Sequence, residues 1–395
     1  MRSTIEEWRA DTEGCAHRVH LNNAGAALMP RPVVRAIHEH IDLEEQIGGY
    51  EAAASRATEV DATYNRLARL VNAAPRNIAV VANATAGFVQ SMSSFDFVPG
   101  DTIVTTKSDY TSYQIHFLAL AQRLGVKIVH AEDLPEGGVD PDSVRRILQS
   151  NRCSLVHLSW IPTHSGLVQD AESVGTVCEE LGVPYLVDAC QAVGQMPIDV
   201  ERLRCDYLSV TARKFLRGPR GIGFMFASDR ALKRGDYPLF IDMRGARWVS
   251  KDSIDVHETA RRYEDWEFPY ALVRGLSEAA EYSHDVGINT AQSRAFALAE
   301  RLREGINALD GARAVDPGRN KCAIVTATFG AVPSEDVVNG LSRRGINSSL
   351  TLQWYGLIDL ASRGVESAVR LSPHYYNTEA EIDAALDALR EIIHS

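Results

Sequence analysis

The chain has 395 residues, too many for one comfortable hydrophobic core, so two domains are expected. Composition is ordinary for a globular protein, 45% apolar and 24% charged, and a net charge of −11 argues against nucleic acid or an anionic membrane as the main partner. No apolar run approaches the ~20 residues of a membrane helix, and the N-terminal MRSTIEEWRADTEG lacks the basic-then-apolar pattern of a signal peptide.

Cys15, Cys153, Cys178, Cys190, Cys205 and Cys322 are scattered, with no C-x-x-C pair and no zinc-like spacing. They read as reduced thiols of a cytoplasmic protein, and no metal site is expected. In chain order, residues 1–29 read as an arm, and Pro30–Ile47 has helical spacing with a proline at its start. Short apolar runs then alternate with amphipathic stretches. The runs are Ile78–Ala82, Thr102–Thr106, Lys127–His130, Leu155–Ser159, Pro184–Asp188, Asp206–Val210 and Ile222–Phe226, with helical patterns such as Tyr113–Leu124 and Asp170–Leu181 between them. This alternation predicts an α/β fold, a mostly parallel sheet covered on both faces, with ligands at the carboxyl ends of its strands. From about Ala279 two long helical patterns, Thr290–Leu309 and Thr378–His394, flank a few short strands. The expected division is an arm (1–29) packing on the small domain, a large domain (30–278) and a small α+β domain (279–395).

The strongest local signal is DYLSVTARKFLRGPRGIGFMF. An apolar strand ends in Thr211, Arg213 and Lys214, followed by Gly218, Gly221 and Gly223. A lysine at a strand end, beside hydroxyl and guanidinium groups, suits a cofactor that is both an aldehyde and a phosphate. Desolvation near other cations lowers the amine pKa, so it can act as nucleophile and base, while Thr211 and Arg213 can hydrogen-bond phosphate. A surface lysine in a basic turn would account for the same residues. The glycines run G-x-x-G-x-G into a strand, so they do not form a dinucleotide fingerprint.

Upstream, GVPYLVDACQAVGQ places Asp188 at the end of a continuous apolar run. A carboxylate there needs a cationic partner. A protonated pyridine nitrogen qualifies, and Gln191, three residues on, can reach the ring's phenolic oxygen. A helix-capping aspartate is the plainer reading. Asp188 and Lys214 lie 26 residues apart, about one strand–helix–strand unit, which puts them on neighbouring strand ends.

D-A-x-Q followed by T-x-R-K-x-x-x-G-P-x-G-x-G resembles the class V aminotransferase superfamily, the cysteine desulfurase-like pyridoxal 5′-phosphate (PLP) enzymes. HLNNAGAALMP, VVANATAGF, DYTSYQ, WIPTHSGLVQ and VRLSPHYYNTEAEID fall in the family's order, from about His20 to the C-terminus. The resemblance implies PLP fold type I, aspartate aminotransferase-like, with a seven-stranded sheet, PLP bound as a Schiff base on Lys214, and a homodimer. It further implies that Thr85 and the Ala86 amide hold the phosphate, Tyr110 stacks on the ring, and Thr163 and Arg370 meet the substrate, Arg370 gripping its α-carboxylate. Asn23, Ala24 and Gly25 would also line the substrate site. A core role for Tyr110 and a surface ion pair for Arg370 are the alternatives when each is read alone.

Departures from the family pattern narrow the function. Desulfurases carry a mobile catalytic cysteine before the final arginine motif, but GINSSLTLQWYGLIDLASRG has none. Trp266 and Glu267 stand where relatives place a Gly-Thr phosphate contact from the second subunit. EQIGGYEAAAS and TARKFLRGPRGIGF resemble hercynylcysteine sulfoxide lyases and lincosamide-pathway enzymes that process S-conjugated cysteines. That branch would put Gly48, Gly49 and Tyr50 near the substrate entrance, although a helix ended by Gly-Gly explains the glycines equally well. The expected activity is carbon–sulfur β-elimination from an L-cysteine S-conjugate. Decarboxylating deamination, transamination and epimerisation are the alternatives.

Overall fold

The computed structural model of the chain describes residues 4–394. Seven strands build the main sheet: β1 (Ile78–Val81), β2 (Thr102–Thr106), β3 (Lys127–Ala131), β4 (Cys153–Ser159), β5 (Tyr185–Asp188), β6 (Tyr207–Thr211) and β7 (Gly223–Ala227). Their spatial order is β1-β7-β6-β5-β4-β2-β3. The four neighbouring pairs from β6 to β3 are parallel, whereas β7 runs antiparallel to both β6 and β1. The sheet is therefore mostly parallel, as expected, and fold type I in architecture.

Central strands β5, β6 and β7 are buried along their whole length, which is why their sequences read as unbroken apolar runs and not as alternation. Of the helices, α1 (Arg31–Ile47) packs on other helices, whereas α2 (Ala84–Met92), α3 (Thr111–Leu124) and α4 (Ala171–Leu181) pack on the sheet. α4 shows how local sequence sets the ends. The Asp170 side chain accepts from the Ser173 amide, and Gly182 at φ 66° closes the helix in the left-handed conformation that favours glycine.

The boundary expected at 278–279 falls inside one unbroken helix, α5 (Tyr270–Val286). Gly287, at φ 82°, separates it from α6 (Ile288–Asn307). α5 packs on α1 beside the main sheet, because its apolar face continues across the position where composition changes. The C-terminal part is a four-stranded antiparallel sheet, β8 (Ala312–Ala314), β9 (Val325–Phe329), β10 (Ser349–Leu352) and β11 (Ser367–Leu371), in the order β8-β9-β11-β10. Between β10 and β11 lie a 3₁₀ turn, Gln353–Gly356, and α7 (Leu357–Ser362); α8 (Glu379–Ile393) follows. Near the N-terminus, Val19–His20 pairs with Ile346–Asn347, and Arg9 bonds Glu381 at 2.8 Å and the Tyr376 carbonyl at 3.0 Å.

Candidate active site

β5 ends in Asp188 and β6 in Thr211, and the turn after β6 carries Lys214 back over the carboxyl edge of the sheet. These residues, with Thr85, Tyr110 and Arg213, line a cavity of about 450 Å³, a volume within the ~300–1,000 Å³ of small-molecule sites. Asp188 is buried. Its Oδ1 accepts from the Cys190 amide at 2.8 Å, so the carboxylate is oriented by the backbone that follows it. Lys214 is also buried, and burial pushes its amine below the ordinary lysine range. Cys190 and Asp188 oppose that shift, while Arg213 and Arg370 add to it.

The wall is unbalanced in charge. Arg213, Lys214 and Arg220 face a cavity whose one carboxylate is Asp188 among the described residues. Burial also holds the Arg213 guanidinium below its usual range. Arg213 is half-buried and Arg220 exposed, and guanidinium groups gathered at one cavity favour an anionic ligand. The first turn of α2 supplies a further anion-binding element, with Thr85 on the cavity wall.

Arg370, on β11, is a further cation without a carboxylate partner among the described residues. It is buried, and burial, with Arg213 nearby, lowers its pKa to about 10. Its partners are neutral: Nη1 donates to the Thr163 carbonyl at 2.7 Å and to Thr163 Oγ1 at 3.2 Å, and Nη2 reaches Asn22 Oδ1 at 3.4 Å. Its Nε has no hydrogen-bond partner among the described residues. A buried guanidinium without a carboxylate is an incomplete ion pair. An anionic ligand group completes it.

The fold thus brings Lys214, Asp188, Tyr110, Thr85, Thr211 and Arg213 to one cavity and joins Arg370 to Thr163. Other expectations need correction. The Ala86 amide is not open to a ligand, because it donates to Asn83 Oδ1 at 2.9 Å; Asn83, Ala84 and Thr85 line the wall instead. Gln191 gives its Nε2 to the Ala24 carbonyl at 3.1 Å, and its buried Oε1, an acceptor, has no partner among the described residues. As placed, that oxygen cannot donate to a phenolic oxygen.

Asn23 is fully buried. Its Nδ2 donates to Ser372 O at 2.7 Å and to His20 O at 3.2 Å, and its Oδ1 accepts from the Tyr376 hydroxyl. The Ala24 amide donates to Ser372 Oγ, and the Gly25 carbonyl accepts from Arg213. These three residues tie the N-terminal segment down, and Asn22 is the one that turns toward Arg370. Tyr50, 78% exposed, lies in a separate cleft with Arg244, Trp266 and Glu267. Asn83, Tyr113, Cys190 and Arg220 were missed as lining residues. Asn83 had a signal, as a helix-capping residue type before an apolar helix. The others had none.

The residues present fit PLP: a buried amine of lowered pKa, a buried carboxylate oriented for a ring nitrogen, and excess positive charge beside a helix start for a phosphate. Fold and site together define a fold-type I PLP enzyme. The family model for aminotransferase class-V matches residues 19–385, and the chain belongs to that family of PLP-dependent enzymes. A probable cysteine desulfurase of Methanothermobacter thermautotrophicus is 26% identical, with 98% of each chain covered. A cysteine desulfurase from Thermococcus onnurineus superposes with a TM-score of 0.90 at 23% identity, covering 100% of this chain and 99% of that one. The cystine C-S lyase C-DES, in complex with its product cysteine persulfide, gives 0.83 at 21%, covering 96% and 98%. No helix among the described residues is long and apolar enough to cross a membrane.

Proposed function

We propose that the chain is a carbon–sulfur β-lyase that cleaves an S-substituted L-cysteine to a thiol (or sulfenate), pyruvate and ammonia. The observation that carries this reading is Arg370, a buried cation without a carboxylate partner among the described residues and near enough to Lys214 to act on its charge. An α-carboxylate supplies the missing charge. When bound, PLP would serve as the electron sink for charge developing at the substrate Cα.

The chain's residues divide the remaining work. Arg370, with Thr163 and Asn22 setting its plane, holds the substrate carboxylate. Asp188 would hold the proton of a bound cofactor's ring nitrogen, with Tyr110 beside it on the cavity wall, and Thr85, Thr211 and Arg213 would hold its phosphate. The Lys214 amine, its pKa lowered by burial, takes the Cα proton as general base. Sulfur then leaves from Cβ.

The names of the relatives favour a second reading, cysteine desulfuration. Against a persulfide carried on the loop before Arg370 stands the composition of residues 323–395, which contain no cysteine. Cys190, the one cysteine on the cavity wall, is buried, and burial beside Asp188 holds its thiol well above the ordinary range, opposite to what a nucleophile needs. The resemblance of EQIGGYEAAAS and TARKFLRGPRGIGF to hercynylcysteine sulfoxide lyases supports an S-conjugate over free cysteine.

We also propose a homodimer. Leu239, Phe240, Met243, Trp248 and Val249 are all more than half exposed, a set of large apolar side chains uncommon on a monomer surface.

The test is cofactor-loaded enzyme with a panel of S-substituted cysteines, following pyruvate, thiol, alanine and carbon dioxide together, with Lys214→Ala as blank. Pyruvate and thiol in equal amounts support the lyase. Alanine with sulfane sulfur would replace it with desulfuration, and carbon dioxide without thiol with decarboxylating deamination.

A further inference from the structure

Tyr110 and Tyr113 enter the wall of the Lys214 cavity from the start of α3. Tyr110 stands at the N-cap, and its side chain gives the helix no hydrogen bond. Its amide is instead held twice, by Asp109 Oδ1 at 3.3 Å and by Ser159 Oγ at 3.1 Å. The same Asp109 oxygen accepts from the Ser159 amide at 2.8 Å. Ser159 ends β4, and in the sheet register it lies opposite Asp188 on β5. One carboxylate therefore fixes the start of α3 against the strand end beside Asp188.

Asp109 is itself buried, so its second oxygen also needs donors. Oδ2 accepts from Thr105 Oγ1 and from His157 Nδ1, the latter at 2.7 Å. An ionised carboxylate can only accept, so Nδ1 carries the proton. Burial opposes the charge on Asp109, but His157, Ser159 and Thr105 hold its carboxyl below the ordinary range. The His157 side chain is fully buried, with the rings of Tyr113, Phe88 and Phe117 at 4.7, 5.2 and 5.5 Å. Phe88 belongs to α2, whose first residues Ala84 and Thr85 line the cavity. The imidazole sits where β4, α2 and α3 meet behind the wall, and its Nε2 has no hydrogen-bond partner among the described residues.

We propose that Asp109 and His157 are positioning residues for the bound cofactor, with His157 holding the Asp109 carboxylate and that carboxylate holding Tyr110 in a set place relative to Asp188. Neither residue lines the cavity, so their effect passes through Tyr110. Filling a gap among aromatic rings requires only apolar volume. A histidine there, bonded to the carboxylate that grips a cavity residue's own backbone, instead fixes geometry, as supporting networks around a site do. Without the Nδ1 donor, Asp109 keeps a buried charge short of one partner, and the turn that carries Tyr110 loosens. The inference concerns PLP and does not rest on the lyase reading.

The experiment titrates apoenzyme with PLP and records circular dichroism of the cofactor's visible band in the loaded enzyme. His157→Leu removes the donor but keeps an apolar side chain, so the PLP dissociation constant should rise at least ~10-fold and the visible band should lose amplitude. His157→Asn, whose amide can stand where Nδ1 was, should keep the constant within about threefold of wild type. Thr105→Val removes the other donor on the same oxygen and should raise the constant about threefold; it carries the test if His157→Leu does not fold. In a Tyr110→Ala background either change should add less than about twofold, because the residue acted through is gone. Tyr64→Phe, which removes a buried hydrogen bond to Glu264 at 2.8 Å, controls for lost stability and should move neither readout. Equal losses in His157→Leu and His157→Asn, undiminished losses in Tyr110→Ala, or a matching loss in Tyr64→Phe each reduce the pair to core packing and overturn the proposal. Neither readout involves thiol or pyruvate, so failure of the lyase reading leaves the pair standing.

Discussion

Arg370 and Thr163 are separated by 207 residues, yet one guanidinium nitrogen donates to both the carbonyl and the hydroxyl of that threonine. The pair sets the plane of a buried cation that has no carboxylate partner. Arg370→Met should lower kcat/KM by about 100-fold or more, the ~3 kcal/mol of a charge-assisted bidentate contact. Thr163→Val keeps the carbonyl bond and loses only the hydroxyl, so a fall of roughly tenfold at most is expected. Steady-state kinetics on an S-substituted cysteine decide this. An Arg370→Met enzyme with near-normal kcat/KM would remove the carboxylate assignment.

Lys214 offers a pH test. Only the neutral amine attacks an aldehyde, and burial lowers the Lys214 pKa from its ordinary 10.5. The rate at which apoenzyme reacts with pyridoxal, followed by absorbance, should rise with pH and reach half its maximum below 10.5. Asp188 raises this pKa and Arg213 lowers it. Asp188→Asn should therefore move the midpoint to lower pH, and Arg213→Met to higher pH. Shifts of the opposite sign would contradict the placement of these charges.

Arg217 predicts stability and not chemistry. Its guanidinium is buried with the Tyr376 ring 4.4 Å away, and it donates to Leu28 O at 2.8 Å and, at 2.6 Å each, to the Tyr375 hydroxyl and Thr12 Oγ1. Arg217→Met leaves those buried acceptors without donors, so a loss of about 3 kcal/mol is expected in urea unfolding. Lysine cannot reproduce the planar fork, so Arg217→Lys should recover little. A neutral effect of Arg217→Met would show that the contact is dispensable.

Asn23 was expected to meet substrate, and its burial says otherwise. Asn23→Ala should cost about 2 kcal/mol of stability through its lost hydrogen bonds, with KM unchanged within about twofold. Asn22→Ala should do the reverse, raising KM with little change in stability. Kinetics and urea melts of the two variants side by side check the exchange of roles.

The exposed apolar residues give an assembly prediction. Wild-type enzyme should sediment as a dimer at micromolar concentration, and Phe240→Glu with Trp248→Glu should shift it toward monomer, because a charge cannot be buried unpaired in an apolar contact. A wild-type monomer would end the dimer proposal.

Local pattern was enough to find Asp188 and Lys214. An apolar run that ends abruptly in a charge has its terminus at a sheet edge, and 26 residues is one strand–helix–strand unit. The buried strands and the helix ends were legible for the same reason, since they depend on neighbours within a few residues. The antiparallel course of β7 and the continuity of α5 through residue 279 were not legible, because strand direction and packing partner are set by distant segments.

The site divides in the same way. Sequence determined which chemical groups are available: an amine, a carboxylate, clustered arginines and a helix start. Only the tertiary structure decided which of two adjacent asparagines faces Arg370, that the Ala86 amide is already capped, and that Tyr50 lies in another cleft. Side-chain direction in an irregular segment follows from what packs against it. For Asn22 and Asn23 that is Arg370 on β11 and Ser372 just beyond it, nearly 350 residues away in sequence.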